Sequence, residues 1–202
     1  MDALAAGVLQ CDGLELDVRF SSDGVPVLVH DATLDRLFGV AARVNALSVG
    51  DLERIGVATL AEALAGIPPS TPIDVELKER PSSEFYATIL GARGPQASGI
   101  VISSFDRETL RDIHRDAPGW SRWLNAETML EAEGAALLGC TGVAVEVGLL
   151  SDDAISGWRA AGLEVAAWTI RGCEGARWAD DRRLVALCVE GEGIVAARAV
   201  AR

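Results

Sequence analysis

Glu15, Asp17 and Arg19 alternate with Leu14, Leu16 and Val18, and Asp74, Glu76 and Lys78 alternate with Ile73, Val75 and Leu77. Residues two apart on a β-strand point to the same side, so each run predicts a strand with one charged and one apolar face. The solvent face of an ordinary amphipathic strand shows the same alternation. The chemistry of the charged residues argues for more. Carboxylates are rarely kept beside a core unless they are paired or bind a metal, and acidic residues from two strands facing one ammonium form a site for a hard cation and an anion. Lys78 is the only lysine in the chain, which otherwise uses arginine, and its compact, strongly hydrated charge suits a phosphate oxygen. It offers charge to an anion and none to a cation, so its removal is expected to cost anion binding and leave cation binding nearly intact.

A third piece of chemistry follows the turn signal Ser22-Asp23-Gly24. The apolar run Val25 to Val29 ends in His30-Asp31, an imidazole beside a carboxylate. A single histidine is commonly structural. His30, however, closes a strand next to a carboxylate strand, where barrel enzymes keep their acids and bases. Trp168 closes a later strand and reads either as a wall of the same pocket or as core packing; Phe105, after Ser103-Ser104, has the same two readings.

The elements that must position these residues alternate along the chain. Strands are expected at 13–20, 25–30, 72–78, 99–104, 121–125, 142–146, 163–169 and 185–189. Helices are expected near 48–55, 59–65, 106–116, 151–161 and 173–180. Strands separated by helices of this length predict βαβ units and a parallel sheet. Without the short run at 25–30, seven strands remain, one fewer than a complete (β/α)8 barrel. A chain of 202 residues, half of them apolar and without low-complexity blocks, suits one domain over 1–202.

A net charge of −12 argues against nucleic acid as a partner, because phosphate backbones select basic surfaces. An acidic protein with an anionic ligand needs local cations, and Lys78, Arg19 and Arg36 are the expected ones. No run is long enough for a membrane span and the N-terminus has no basic leader, so cytoplasmic residence is expected. Cys11, Cys140, Cys173 and Cys188 lack metal-ligand spacing and read as reduced thiols.

The ordered motifs resemble one family. Gly13-Leu14-Glu15-Leu16-Asp17-Val18-Arg19, Asp23-Gly24-Val25-Pro26-Val27, His30-Asp31-Ala32-Thr33-Leu34-Asp35-Arg36, Val75-Glu76-Leu77-Lys78, Ile102-Ser103-Ser104-Phe105-Asp106 and Val165-Ala166-Ala167-Trp168-Thr169 are similar, in order and spacing, to the glycerophosphodiester phosphodiesterases. The resemblance implies an α/β fold, a TIM (β/α)8 barrel. It implies Glu15, Asp17 and Glu76 as ligands of a divalent cation, Mg²⁺ or Ca²⁺, and His30 as one of two catalytic histidines. Lys78 would contact the phosphate and Trp168 the substrate, a small glycerophosphodiester cleaved to glycerol 3-phosphate and an alcohol.

The sequence also departs from the family. The usual first strand with His-Arg-Gly, and the Pro-Glu-Asn-Thr motif after it, have no match, so the resemblance implies a barrel lacking its first strand. The second catalytic histidine and a phosphate-binding arginine would go with that strand. A homo-oligomer covering the gap is one expected compensation, and a start site upstream of Met1 is another. His114 falls in a helical pattern and reads as a surface residue. Near the end, Cys188-Val189-Glu190-Gly191 stands where the family usually has an Asp. Two functions fit this mixture: a metal-dependent hydrolase, and a degenerate barrel that binds metal or phosphodiester as a binding or regulatory module.

Overall fold

The computed structural model describes residues 2–172 and 182–195. They group into two compact units, Met1–Ile102 with Arg115–Trp120, and Ser103–His114 with Ser121–Arg202.

In the first unit, helix α1 (Asp2–Gln10) leads into strand β1 (Leu14–Phe20), followed by β2 (Pro26–Leu28), helices α2 (Asp35–Phe38), α3 (Val49–Ile55) and α4 (Leu60–Gly66), strand β3 (Ile73–Leu77) and helix α5 (Ser83–Arg93). Strand β1 pairs in parallel with β3, from Leu14 opposite Ile73 to Val18 opposite Leu77. On its other edge it pairs antiparallel with β2, where Val18 faces Leu28 and Phe20 faces Pro26. The expected alternation is realised. Leu16, Val18 and Phe20 are buried on β1, and Ile73, Val75 and Leu77 on β3, leaving the charged residues on the opposite face.

The turn between β1 and β2 needs Gly24, whose φ of +82° is a region that L side chains avoid. The Ser21 N–H donates to the Val25 carbonyl at 3.0 Å and closes it. Strand β2 is shorter than the expected 25–30 because its pairing with β1 ends at Leu28. The Val29 N–H still donates to the Asp17 carbonyl at 3.1 Å, which carries the chain on to His30 beside β1.

The helices have clear start signals. Ser48 caps α3 by accepting the Asp51 N–H, and Ser82 caps α5 by accepting the Phe85 N–H. Thr59 and Glu62 form a reciprocal capping box on α4, and a cap of this kind is typically worth about 1 kcal/mol. Beneath the segment carrying His30, Val27, Val29, Leu34, Val44, Leu52 and Val57 form one buried cluster. Truncating the fully buried Leu52 to alanine removes side-chain volume of a kind that costs about 2–5 kcal/mol.

Strand β4 (Ile100–Ser104) runs from the first unit into the second, which continues with helix α6 (Arg107–Asp116), strand β5 (Ser121–Ala126), helix α7 (Met129–Ala132), strand β6 (Gly142–Glu146), helix α8 (Asp152–Ala160), and strands β7 (Glu164–Ile170) and β8 (Ala186–Val189). Strands β5 to β8 pair in parallel in chain order. Their core gathers Leu124, Val143, Val145, Val165, Ile155 and Trp158.

The expected strands therefore form, within a residue or two at their ends. The helix expected at 173–180 and Cys173 lie outside the described residues. Cys11 and Cys140 are free thiols. Among the described residues, no helix is long and apolar enough to cross a membrane.

Candidate active site

The parallel register sets Glu15 opposite Asp74 and Asp17 opposite Glu76. Carboxylates two apart on β1 thus meet the matching face of β3. Oxygen atoms of Glu15, Asp17 and Glu76 lie within 4.8 Å of one another, an arrangement that could hold a metal ion. The donor set is oxygen only and compact, which fits a hard divalent cation such as Mg²⁺ or Ca²⁺ better than zinc.

Like charges this close resist ionisation. Glu15 lies at the solvent-reached rim, yet its carboxyl is pushed up to about 9, first by the protein packed around it and then by Asp17, Asp74 and Glu76, with Lys78 opposing. Glu76 is also raised, mainly by burial, while its hydrogen bond from Lys78 pulls the other way.

Lys78 lies just beyond β3, its N–H donating to the Val18 carbonyl at 3.0 Å. Its ammonium donates to Asp17 Oδ1 at 2.7 Å and to Glu76 Oε1. Burial disfavours the charge, but these two carboxylates outweigh it and hold the ammonium above the usual lysine range.

The expectation that Lys78 has nothing to do with a cation is therefore revised: its ammonium uses the same oxygens that a cation would use. Replacing Lys78 with methionine should lower the metal-free melting temperature, because breaking a buried pair costs about 3 kcal/mol. The same variant should show a larger Mg²⁺-induced rise than the wild type, since the ion no longer competes with an ammonium. Melts with and without Mg²⁺ check both signs, and a smaller rise in the variant contradicts the competition.

The sign of the pH dependence follows from Glu15. Its folded pKa lies above the ordinary 4.5, so between about pH 5 and about pH 9 the folded chain holds more protons than the unfolded one. This group's contribution to stability is complete below the lower value and is lost as pH rises through the upper. A bound cation reverses the trend, because it needs the carboxylate. The metal-free midpoint should fall across this window and the Mg²⁺-induced rise should grow; an Mg²⁺-induced rise that stays constant with pH would contradict the assignment.

His30 lines the same cleft as Glu15 and Asp17, a space of about 330 Å³ in the first unit. Its Nδ1 lies 2.8 Å from Asp31 Oδ1, and Arg36 Nε donates to Asp31 Oδ2 at 2.6 Å. Arg36, first among its neighbours, and then His30 hold the Asp31 carboxyl well below the usual range. With Asp31 as acceptor, Nδ1 carries the proton and Nε2 is left for chemistry. Arg19 donates from Nε to the His30 carbonyl at 2.9 Å, fixing the backbone beneath the ring.

Arg19 and Arg36, expected as cations for an anionic ligand, are thus engaged in holding the histidine segment. The sequence hint was the pairing of His30-Asp31 with an arginine five residues beyond Asp31. Trp168 lies in the second unit on β7, where its indole N–H donates to the Ala144 carbonyl at 3.1 Å and its ring packs edge-on to Phe105 at 5.5 Å. His114 is exposed, as expected, with Nδ1 3.0 Å from Arg122 Nη2.

The model of the glycerophosphoryl diester phosphodiesterase family matches residues 1–191. The chain belongs to that family. A protein of Mycobacterium tuberculosis is 30% identical over 127 residues, covering 51% of this chain and 41% of that protein. Glycerophosphodiester phosphodiesterase 1 of Rattus norvegicus is 44% identical over 46 residues, 23% of this chain and 14% of that enzyme. The chain thus matches less than half the length of these relatives.

Among solved structures, an Oleispira antarctica phosphodiesterase in complex with the product sn-glycerol-3-phosphate superposes with a TM-score of 0.84 at 23% identity, covering 100% of this chain and 90% of that one. The Thermotoga maritima glycerophosphodiester phosphodiesterase gives 0.79 at 23% identity over 98% and 91%. These likenesses show the fold, the α/β barrel fold of the phosphodiesterases.

Proposed function

We propose that the chain, as one domain, hydrolyses small glycerophosphodiesters to glycerol 3-phosphate and an alcohol, using a divalent cation held by Glu15, Asp17 and Glu76. The observation that carries this reading is the meeting of those three carboxylates with Lys78, on the cleft that His30 also lines. Membership of the family and the product named for the Oleispira antarctica phosphodiesterase support it.

A bound cation would neutralise charge on the non-bridging oxygens and acidify an attacking hydroxyl or water. The three carboxylates would hold it, and the Lys78 ammonium would offer a phosphate oxygen a second positive charge. His30, its Nδ1 proton held by Asp31, moves a proton at Nε2, either to the leaving alkoxide or from the attacking group.

Asp31→Asn should lower kcat by about tenfold with KM little changed, because the tautomer lock is lost. The effect is well below that of a buried triad aspartate because Asp31 is partly exposed and screened. A steady-state comparison at pH 7 checks it; an unchanged kcat would mean Asp31 does not position the ring.

A second reading, binding without turnover, is favoured by one observation: His30 is the sole histidine among the described residues of the first unit, and His114 is turned to Arg122 in the second. Release of glycerol 3-phosphate from glycerophosphocholine, with Mg²⁺ or Ca²⁺ and in chelator, separates the two. Cation-dependent release supports hydrolysis. Calorimetric binding of glycerophosphocholine without release supports the binding module.

A further inference from the structure

Arg19 is the third charged residue of β1, after Glu15 and Asp17, yet its contacts lie away from the carboxylate cluster. Its Nε donates to the His30 carbonyl at 2.9 Å, and its Nη1 lies 3.8 Å from Glu79 Oε1. Glu79 directly follows Lys78, and the same Oε1 accepts the Phe20 N–H at 3.3 Å. One guanidinium therefore joins the end of β1, the residues just beyond β3 and the segment that carries the histidine. A planar fork of donors can serve two acceptors in different directions from one rigid group, which a lysine ammonium on its flexible stem does less well.

The segment it holds has little else to fix it. The last backbone bond before the ring runs from the Val29 N–H to the Asp17 carbonyl at 3.1 Å, and the next runs from the Val44 N–H to the Ala32 carbonyl at 3.1 Å. Among the described residues, Arg19 supplies the one hydrogen bond to the backbone of His30. Asp31 and Arg36 decide which ring nitrogen carries the proton, not where the ring stands, and a side chain 60% exposed is not held by packing. Placement matters, because a shift of about 1 Å at a reacting group can cost about 10²-fold in rate.

Resting on the hydrolytic reading above, we infer that Arg19 and Glu79 are positioning residues: Glu79 braces the Arg19 guanidinium, and the guanidinium sets the backbone of His30 so that the ring stands in the cleft it shares with Glu15 and Asp17. Both act through His30 and neither is needed to hold a cation.

Arg19→Met keeps the length of the stem and removes the donors. In Mg²⁺, its kcat for release of glycerol 3-phosphate from glycerophosphocholine should fall on the order of 10²-fold, with KM and the Mg²⁺-induced rise in melting temperature little changed. In a His30→Ala background the same substitution should have almost no further effect, because no ring remains to be placed. Glu79→Gln leaves the His30 hydrogen bond and an acceptor for the Phe20 N–H in place, so it carries the same comparison in a milder variant. Its kcat should fall by no more than about fivefold, the scale of a partly exposed ion pair, and not at all once Arg19 is methionine.

A second readout does not depend on turnover. The chain has two histidines, so the imidazole region of its proton spectrum holds two sets of signals, which His30→Ala assigns. Arg19→Met should move the His30 signals and leave those of His114 in place. Equal falls in kcat with and without His30, a loss confined to KM, or unmoved His30 signals overturn the inference. Absence of glycerol 3-phosphate release by the wild type overturns the hydrolytic reading instead, and the imidazole signals then decide by themselves whether Arg19 sets the ring.

Discussion

Glu76→Gln should abolish the stabilisation by Mg²⁺ or Ca²⁺ and lower the release of glycerol 3-phosphate on the order of 10³-fold, the scale set by losing a pre-arranged electrostatic group in a reacting site. Glu76 is the one carboxylate of the three supplied by β3, and its side chain is only 12% exposed. The two on β1 can bind a cation from one side; closing the site takes the group that the register places opposite Asp17. Glutamine preserves shape and an acceptor oxygen but removes the charge. It also leaves the Lys78 ammonium with Asp17 as its remaining anionic partner in the cluster, so the metal-free variant should stay folded. Melts in millimolar Mg²⁺ provide the measurement, with the wild-type rise as reference. A rise of wild-type size in Glu76→Gln would remove Glu76 from the site, and Asp74, which faces Glu15 in the register, would be the carboxylate to examine next.

Much of this site was legible before the fold was known, because strand periodicity translates directly into geometry. Charges at 15, 17, 74 and 76 had to lie on common faces, and pairing two such strands in parallel brings the carboxylates together whatever the helices do. His30 was readable because an apolar run ended on it. The arrangement of the cations was not legible. Whether Lys78 points to a ligand or back to Asp17 and Glu76 depends on side-chain torsions beyond the strand's end, where periodicity gives no direction. Arg36 reaches Asp31 only because the loop after His30 turns into α2, a fold-back held by backbone bonds such as Leu34 N–H to the Ala42 carbonyl at 3.0 Å.

The end of strand β2 was also set by tertiary context. An apolar run from Val25 to Val29 suggests a strand through His30, but antiparallel pairing stops at Leu28. The last residues are thereby released to follow a different path, fixed by Arg19 on the His30 carbonyl, with the ring left at the solvent-facing edge of the cleft.

That freedom bears on the remaining large effect. His30→Ala should lower kcat by about 10²- to 10⁴-fold, the usual worth of one positioned acid or base, while leaving the Mg²⁺-induced rise in melting temperature intact. The two readouts divide because the ring is no part of the carboxylate cluster: its side chain is 60% exposed and its hydrogen bond goes to Asp31. Removing it should disturb packing little. His30→Gln tests the proton specifically, since the amide can still donate a hydrogen bond to Asp31 but cannot shuttle a proton at pH 7. Both variants should lose the limb of the pH–rate profile that reports the proton-transfer group. A fall of less than about tenfold in both, with that limb retained, would assign proton transfer elsewhere. The chain holds only one other histidine, His114, so an unaffected profile would direct attention to it and to the Arg122 guanidinium beside it.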